Sequence, residues 1–231
     1  LESSCKCFSH GLAKKVTASG RIIGDCAVPP SDIRYNEPIG VVTRHLLFGN
    51  NFSHTSTFMI RREALDKIGG FQGDSTLPTI DIPTLLHLGL IGKFDYIDIV
   101  LGYHRKHTMS VAYRQSHPGI DSFHNRLKQY SLGFFNEHKD INALRDIDME
   151  QLEEAWDGLL MKTYIGHGRE ALMHKQWREA RRFFTVAAHT NKYSSRIIAI
   201  IGILSSLLHI NIIEIILKFI TGHSIHDLLE R

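Results

Sequence analysis

The sequence predicts a mixed α/β first half followed by an all-helical second half. Three observations carry that expectation. Before about residue 113, runs that alternate apolar and polar side chains, KKVTASGRIIGDCAV and KFDYIDIVLGYH among them, are bounded by glycine and proline as strands are. Among these runs lie two short helix patterns, EALDKI stopped by Gly69-Gly70 and IPTLLHLGLIG opened by Pro83. From about Ser116 to the end there is no convincing strand pattern, only successive helix patterns.

Length and composition bound what such a chain can be. Its 231 residues suit one or two domains, each able to bury a core, and 43% hydrophobic with 22% charged residues describe an ordinary folded protein. A net charge of +3 without any block of like charges gives no electrostatic case for nucleic acid. Cys5, Cys7 and Cys26 match no zinc spacing, and an odd, small count suits free thiols in a reducing, cytoplasmic compartment. The fifteen histidines are scattered. The chain opens on Leu1 with no signal-peptide pattern, which leaves a processed protein or a piece of a longer one.

In order, residues 1–28 read as a hairpin turning at Ser19-Gly20, and residues 29–32 as a loop. An apolar helix after Pro38 ends at Gly49-Asn50. Residues 56–61 form a strand that meets Arg61 and Arg62, and residues 63–68 a short helix stopped by the glycine pair. A small, polar loop over 72–78 leads to Asp81. The following helix is rich in leucine (Leu85, Leu86, Leu88, Leu90) and is expected to be buried; residues 94–103 alternate as a buried strand.

Helices are expected over 120–136, 149–174, 177–190, 194–209 and 211–220. Gly168, Ala180, Phe184 and Ala187 fall at spacings like those of a tetratricopeptide pair. One match does not make an array, so a plain antiparallel helix pair packed on its neighbours is the preferred reading. The apolar run 197–220 is long enough to span a bilayer, but Ser205, Ser206, His209, Asn211, Glu214 and Lys218 interrupt it. Two helices broken at His209-Ile210-Asn211 fit better. Packing against protein comes first and lying in the plane of a membrane surface second.

Two places could carry chemistry. Asp81, ionised at neutral pH, could take a proton from a hydroxyl as that hydroxyl attacks, although Asp ahead of a helix is also a favoured cap. Arg105 and His107 close a strand, where binding residues gather; Arg105 suits a phosphate or carboxylate, and His107 a divalent metal. Exposed basic side chains are the plain alternative. His104 is expected on the face opposite His107.

The order STFMIRREALDKIGGF, an Asp before a helix, then GKFDYIDIVLGYHRKHTMS, resembles the carboxyl-terminal half of a family 2 glycosyltransferase of the GT-A type. The resemblance covers residues 20–112. It implies a partial GT-A fold, Rossmann-like, over residues 1–113 and a helical domain over 114–231. On this resemblance Asp81 matches the catalytic base, His107 a metal ligand and Arg105 the basic partner beside the diphosphate. Gly70, Phe71 and the loop to Thr79 match the flank of the acceptor pocket. The residue before the acid is Ile80 where many relatives carry Glu, and no D-x-D precedes the unit.

The implied reaction is transfer of a sugar from a nucleotide-diphosphate sugar to an acceptor hydroxyl, with inversion and a divalent cation, Mn2+ or Mg2+. The implied acceptor is a glycan or a lipid-linked carrier, as in cell-envelope polysaccharide synthesis. The expected location is cytoplasmic, with room for peripheral contact with the inner face of the cell membrane. Without the half that holds D-x-D, the chain alone is expected to be inactive. The alternative is a non-catalytic interaction module built from this fold, with the helices as its docking surface.

Overall fold

The computed structural model describes residues 6–29, 39–73, 77, 79–105, 107 and 119–221. The expected change of character near Tyr113 falls outside them, as do most of the proline loop after Pro29 and residues 74–76 and 78 of the polar loop.

One long strand organises the sheet. β1 (Lys6–Val16) pairs in parallel with β4 (Lys93–Arg105), from Lys6 opposite Lys93 to Val16 opposite Arg105. Different stretches of β1 pair antiparallel with two short strands. β3 (Met59–Ile60) faces Phe8 and Ser9, and β2 (Ile22–Asp25) faces Lys14 to Val16. The expected hairpin is therefore present, with Gly20 at φ 94° in its turn and the Thr17 N–H donating to Arg21 O at 2.8 Å.

The expected strand over 56–61 shrinks to β3, because residues Thr55–Thr57 form a 3-10 turn. There the Thr57 N–H and hydroxyl both donate to His54 O, at 2.8 and 2.9 Å, so local bonding competes with the ladder.

β4 is not the buried, alternating strand expected. Phe94 and Tyr96 are buried, but from Ile97 to Leu101 every residue is exposed. The cause is a shift of register: Gly11 faces Ile97, Leu12 faces Val100 and Ala13 faces Gly102. Extra residues on β4 break the period of two and swing its apolar side chains outward. The Leu101 side chain then folds over Gly11, where a Cβ would lie 2.6 Å from it.

Helix α1 (Val41–Leu47) ends as its sequence predicts. Gly49, at φ 74°, and Asn50 return their N–H groups to Leu46 O and His45 O at 2.9 and 3.0 Å. The helix crosses α3 (Asp81–Ile91) closely, because Gly89 presents no side chain to Thr43, whose hydroxyl donates to Leu86 O at 3.2 Å. Leu85, Leu86 and Leu88 are fully buried, as their spacing predicted.

The helical half follows its expected outline: α4 (Ile120–His138), α5 (Met149–Met173), α6 (Trp177–Ala187), α7 (Tyr193–Leu208) and α8 (Ile212–Thr221). His209, at φ 54°, closes α7 where the break was expected. α4 and the start of α5 share one hydrophobic core with the sheet, in which Phe8, Leu47, Leu85 and Phe94 meet Leu127, Phe134, Leu152 and Trp156. A second core joins Tyr164, Leu172, Phe184 and Ala199. α5 runs through both. Phe184 is wedged between Gly168 of α5 and Gly202 of α7, which is what the repeat-like spacing does here: it lets three helices close on one ring.

Candidate functional site

The site grows from the stop of α2 (Arg62–Lys67). Gly69 and Gly70, at φ 81° and 95°, send their N–H groups back to Asp66 O and Leu65 O at 3.1 and 2.9 Å, the pair of hydrogen bonds that ends a helix through left-handed glycine. The turn delivers Phe71 to the surface, 62% exposed. Gln72 then fastens the loop. Its Nε2 donates to Ile68 O at 2.5 Å and Gly70 O at 3.0 Å, while its backbone N–H donates to the Thr84 hydroxyl at 2.9 Å. Thr84 in turn donates to Ile80 O at 2.6 Å. Phe71 and the first turn of α3 are thus held together. Gln72 and Thr84 escaped the sequence reading because they lie twelve residues apart and meet only in the fold.

Asp81 is the first residue of α3, with Ile80 in the cap position. Its Oδ1 accepts the Ile82 N–H at 2.9 Å and the Thr79 hydroxyl. Among the described residues no donor reaches Oδ2. The side chain is half-buried, and burial raises its pKa above the ordinary 3.8, against the lowering effect of the Ile82 N–H. One oxygen is tied to the helix start; the other is left for a proton. Ile80, next to it in the chain, and Phe71, at the loop that Gln72 fastens to α3, are both exposed apolar side chains.

Arg105 and His107 lie elsewhere. The Arg105 guanidinium bridges to the β1–β2 hairpin, donating to Ala18 O at 2.6 Å and Thr17 O at 3.5 Å. His107 is exposed and two residues past β4. No hydrogen bond or ion pair among the described residues joins either to Asp81. His104 turns to the His54 ring, 5.8 Å away between centroids. Hydrogen bonds thus link the loop after Gly70 to the first turn of α3, where Thr79 meets Asp81.

Among the described residues no three His, Cys, Asp or Glu side chains come together to hold a metal ion. Nor is any helix among them long and apolar enough to cross a membrane. Compared with known proteins, the chain matches no family model, no curated protein and no solved structure.

Proposed function

We propose that this chain is the acceptor side of an inverting glycosyltransferase in which Asp81 is the general base. One observation carries the reading: a half-buried carboxylate with raised proton affinity, one oxygen fixed by Thr79 and Ile82 and the other without a described partner. Such a group is both oriented and basic enough to take a proton as a hydroxyl attacks.

In the proposed reaction Oδ2 accepts the acceptor's hydroxyl proton as that oxygen bonds to the anomeric carbon. The bond from that carbon to the diphosphate breaks on the opposite side, and the nucleoside diphosphate leaves. Phe71 and Ile80 offer apolar surface on which a sugar ring can rest while its hydroxyl points at Asp81.

The donor nucleotide belongs, on this reading, to strands outside these residues. β4 pairs with β1 alone among the described strands and exposes Ile97, Ile99, Val100, Leu101 and Tyr103. An apolar open edge of this kind calls for a further strand, and a nucleotide-binding half set there would complete the sheet. Mn2+ or Mg2+ enters the proposal only through His107, which has no described co-ligands, so no step is routed through a cation.

The test is sugar transfer by the chain together with its natural upstream sequence, followed as nucleoside diphosphate released from a panel of nucleotide sugars. Asp81→Asn is expected to lower kcat by about 100-fold or more, the usual contribution of a positioned base. Transfer within about tenfold of the parent protein would remove Asp81 from that role.

A further inference from the structure

Helix α7 is packed with its large side chains outward. The face it buries is small and polar: Ala199, Ser205 and Ser206 are fully buried, and Gly202 lies so close to Phe184 that a Cβ would stand 2.4 Å from the ring. The opposite face carries Tyr193, Ile200, Leu204, Leu207 and Leu208, at spacings of one stripe along a helix, all exposed to between 46% and 79%. On α8, the next helix, Phe219 is 92% exposed. The large apolar side chains of α7 thus lie on the face that the protein leaves uncovered.

The charge of the region names the cover. Residues 174–221 hold seven Lys and Arg against two Asp and Glu, a net of +5, while the whole chain carries +3. Two of the basic residues, Lys175 and Arg178, are exposed at the start of α6. The Trp177 ring stacks on His209, with centroids 5.4 Å apart, and Arg181 donates to Ser206 O at 3.3 Å. These contacts bring the start of α6, with exposed Lys175 and Arg178, to the end of α7 that carries Leu207 and Leu208. Apolar side chains with a basic collar fit an anionic bilayer, whose headgroups meet the cations while its acyl layer takes the leucines. A second copy of the chain would instead set like charges face to face.

We propose that the α7–α8 face docks in the plane of an anionic lipid surface. With sixteen residues, α7 is about 24 Å long, short of the ~30 Å hydrocarbon core, so it lies along the interface rather than across it. The inference does not rest on the sugar-transfer reading, and its test has no catalytic readout.

The experiment is co-sedimentation of the chain with vesicles of phosphatidylcholine alone or mixed equally with phosphatidylglycerol, at about 0.1 M and 0.5 M NaCl. The expected result is partition about tenfold stronger on the anionic vesicles, weakened by salt. Leu208→Asp and Phe219→Asp, at exposed positions, are expected to cut it about tenfold with an unchanged circular dichroism melt. Lys175→Glu with Arg178→Glu should remove the preference for anionic lipid, and Lys139→Glu, exposed just past the end of α4, should not. The proposal is overturned if the chain stays in solution with both vesicle types, if neutral vesicles bind it equally, or if Leu208→Asp binds unchanged. A dimer in solution that Leu208→Asp splits, without vesicle binding, would give the face to a second copy and overturn it too.

Discussion

Replacing Trp156 with Phe tests how the helical half holds the sheet half. The Trp156 indole is buried in the first core, and its Nε1–H donates to Leu47 O at 2.8 Å. Leu47 ends α1, where helix carbonyls lack partners within the helix, so the indole supplies one. Phe keeps an aromatic ring and loses that donor. A buried carbonyl left unpaired costs about 1–3 kcal/mol. Two fewer buried ring carbons add about 1.6 kcal/mol, at roughly 0.8 each. The sum is about 2.6–4.6 kcal/mol, which in a chain of this size lowers Tm by about 10 °C.

The assay is urea unfolding followed by far-UV circular dichroism and by fluorescence. The chain's two tryptophans lie one at each core, so in Trp156→Phe the remaining signal comes from Trp177 beside the second core. Because α5 runs through both cores, the two probes are expected to shift together. A loss no larger than about 1.6 kcal/mol, that of the ring carbons alone, would refute the hydrogen-bond argument. A Trp177 transition that stayed in place while the dichroism moved would refute the coupling of the cores.

Two further predictions concern single positions. Burial raises the Asp81 pKa above its unfolded value of 3.8. Its ionisation therefore costs stability, a cost absent below pH 3.8 and complete once pH exceeds the folded value. Asp81→Asn is expected to melt higher than the parent at pH 7, with the difference vanishing as pH falls to 3.8; a lower melt at pH 7 would make Asp81 a stabilising cap instead. Gly202→Ala would drive a methyl group to 2.4 Å from Phe184, whose other side is closed by Gly168. Overpacking of this kind costs about 1–3 kcal/mol, read as a lower urea midpoint; a change under about 0.5 kcal/mol would show that the ring can move aside.

What the sequence made legible was local. The hairpin turn at Gly20, the stop of α2 at Gly69-Gly70 and the break of the apolar tail at His209 each follow from a few adjacent residues, and each is found. What it hid was tertiary. The apolar residues of β4 read as a buried strand because alternation assumes constant register, and the shift near Leu12 appears only once β1 is laid beside it. Nor does the sequence show that the Arg105 guanidinium reaches hairpin carbonyls nearly ninety residues earlier. The shared core of α4, α5 and the sheet had no local mark, since a leucine pattern says that a face is buried and not by what.

Asp81 is where the two levels meet. At the sequence level it stands where a helix cap would, and a cap alone would explain it. Its geometry undercuts that account, because the capping contact uses only Oδ1, and an Asn or Ser oxygen could accept the Ile82 N–H equally well. Neither would bring a charge that burial disfavours. The negative charge is the property of the residue that burial works against. A general base needs it. The two measurements on Asp81→Asn therefore bear on one question from opposite sides: the substitution should make the protein harder to unfold and slower to transfer a sugar. A variant that became more stable with transfer intact would leave the buried charge without the use assigned to it here.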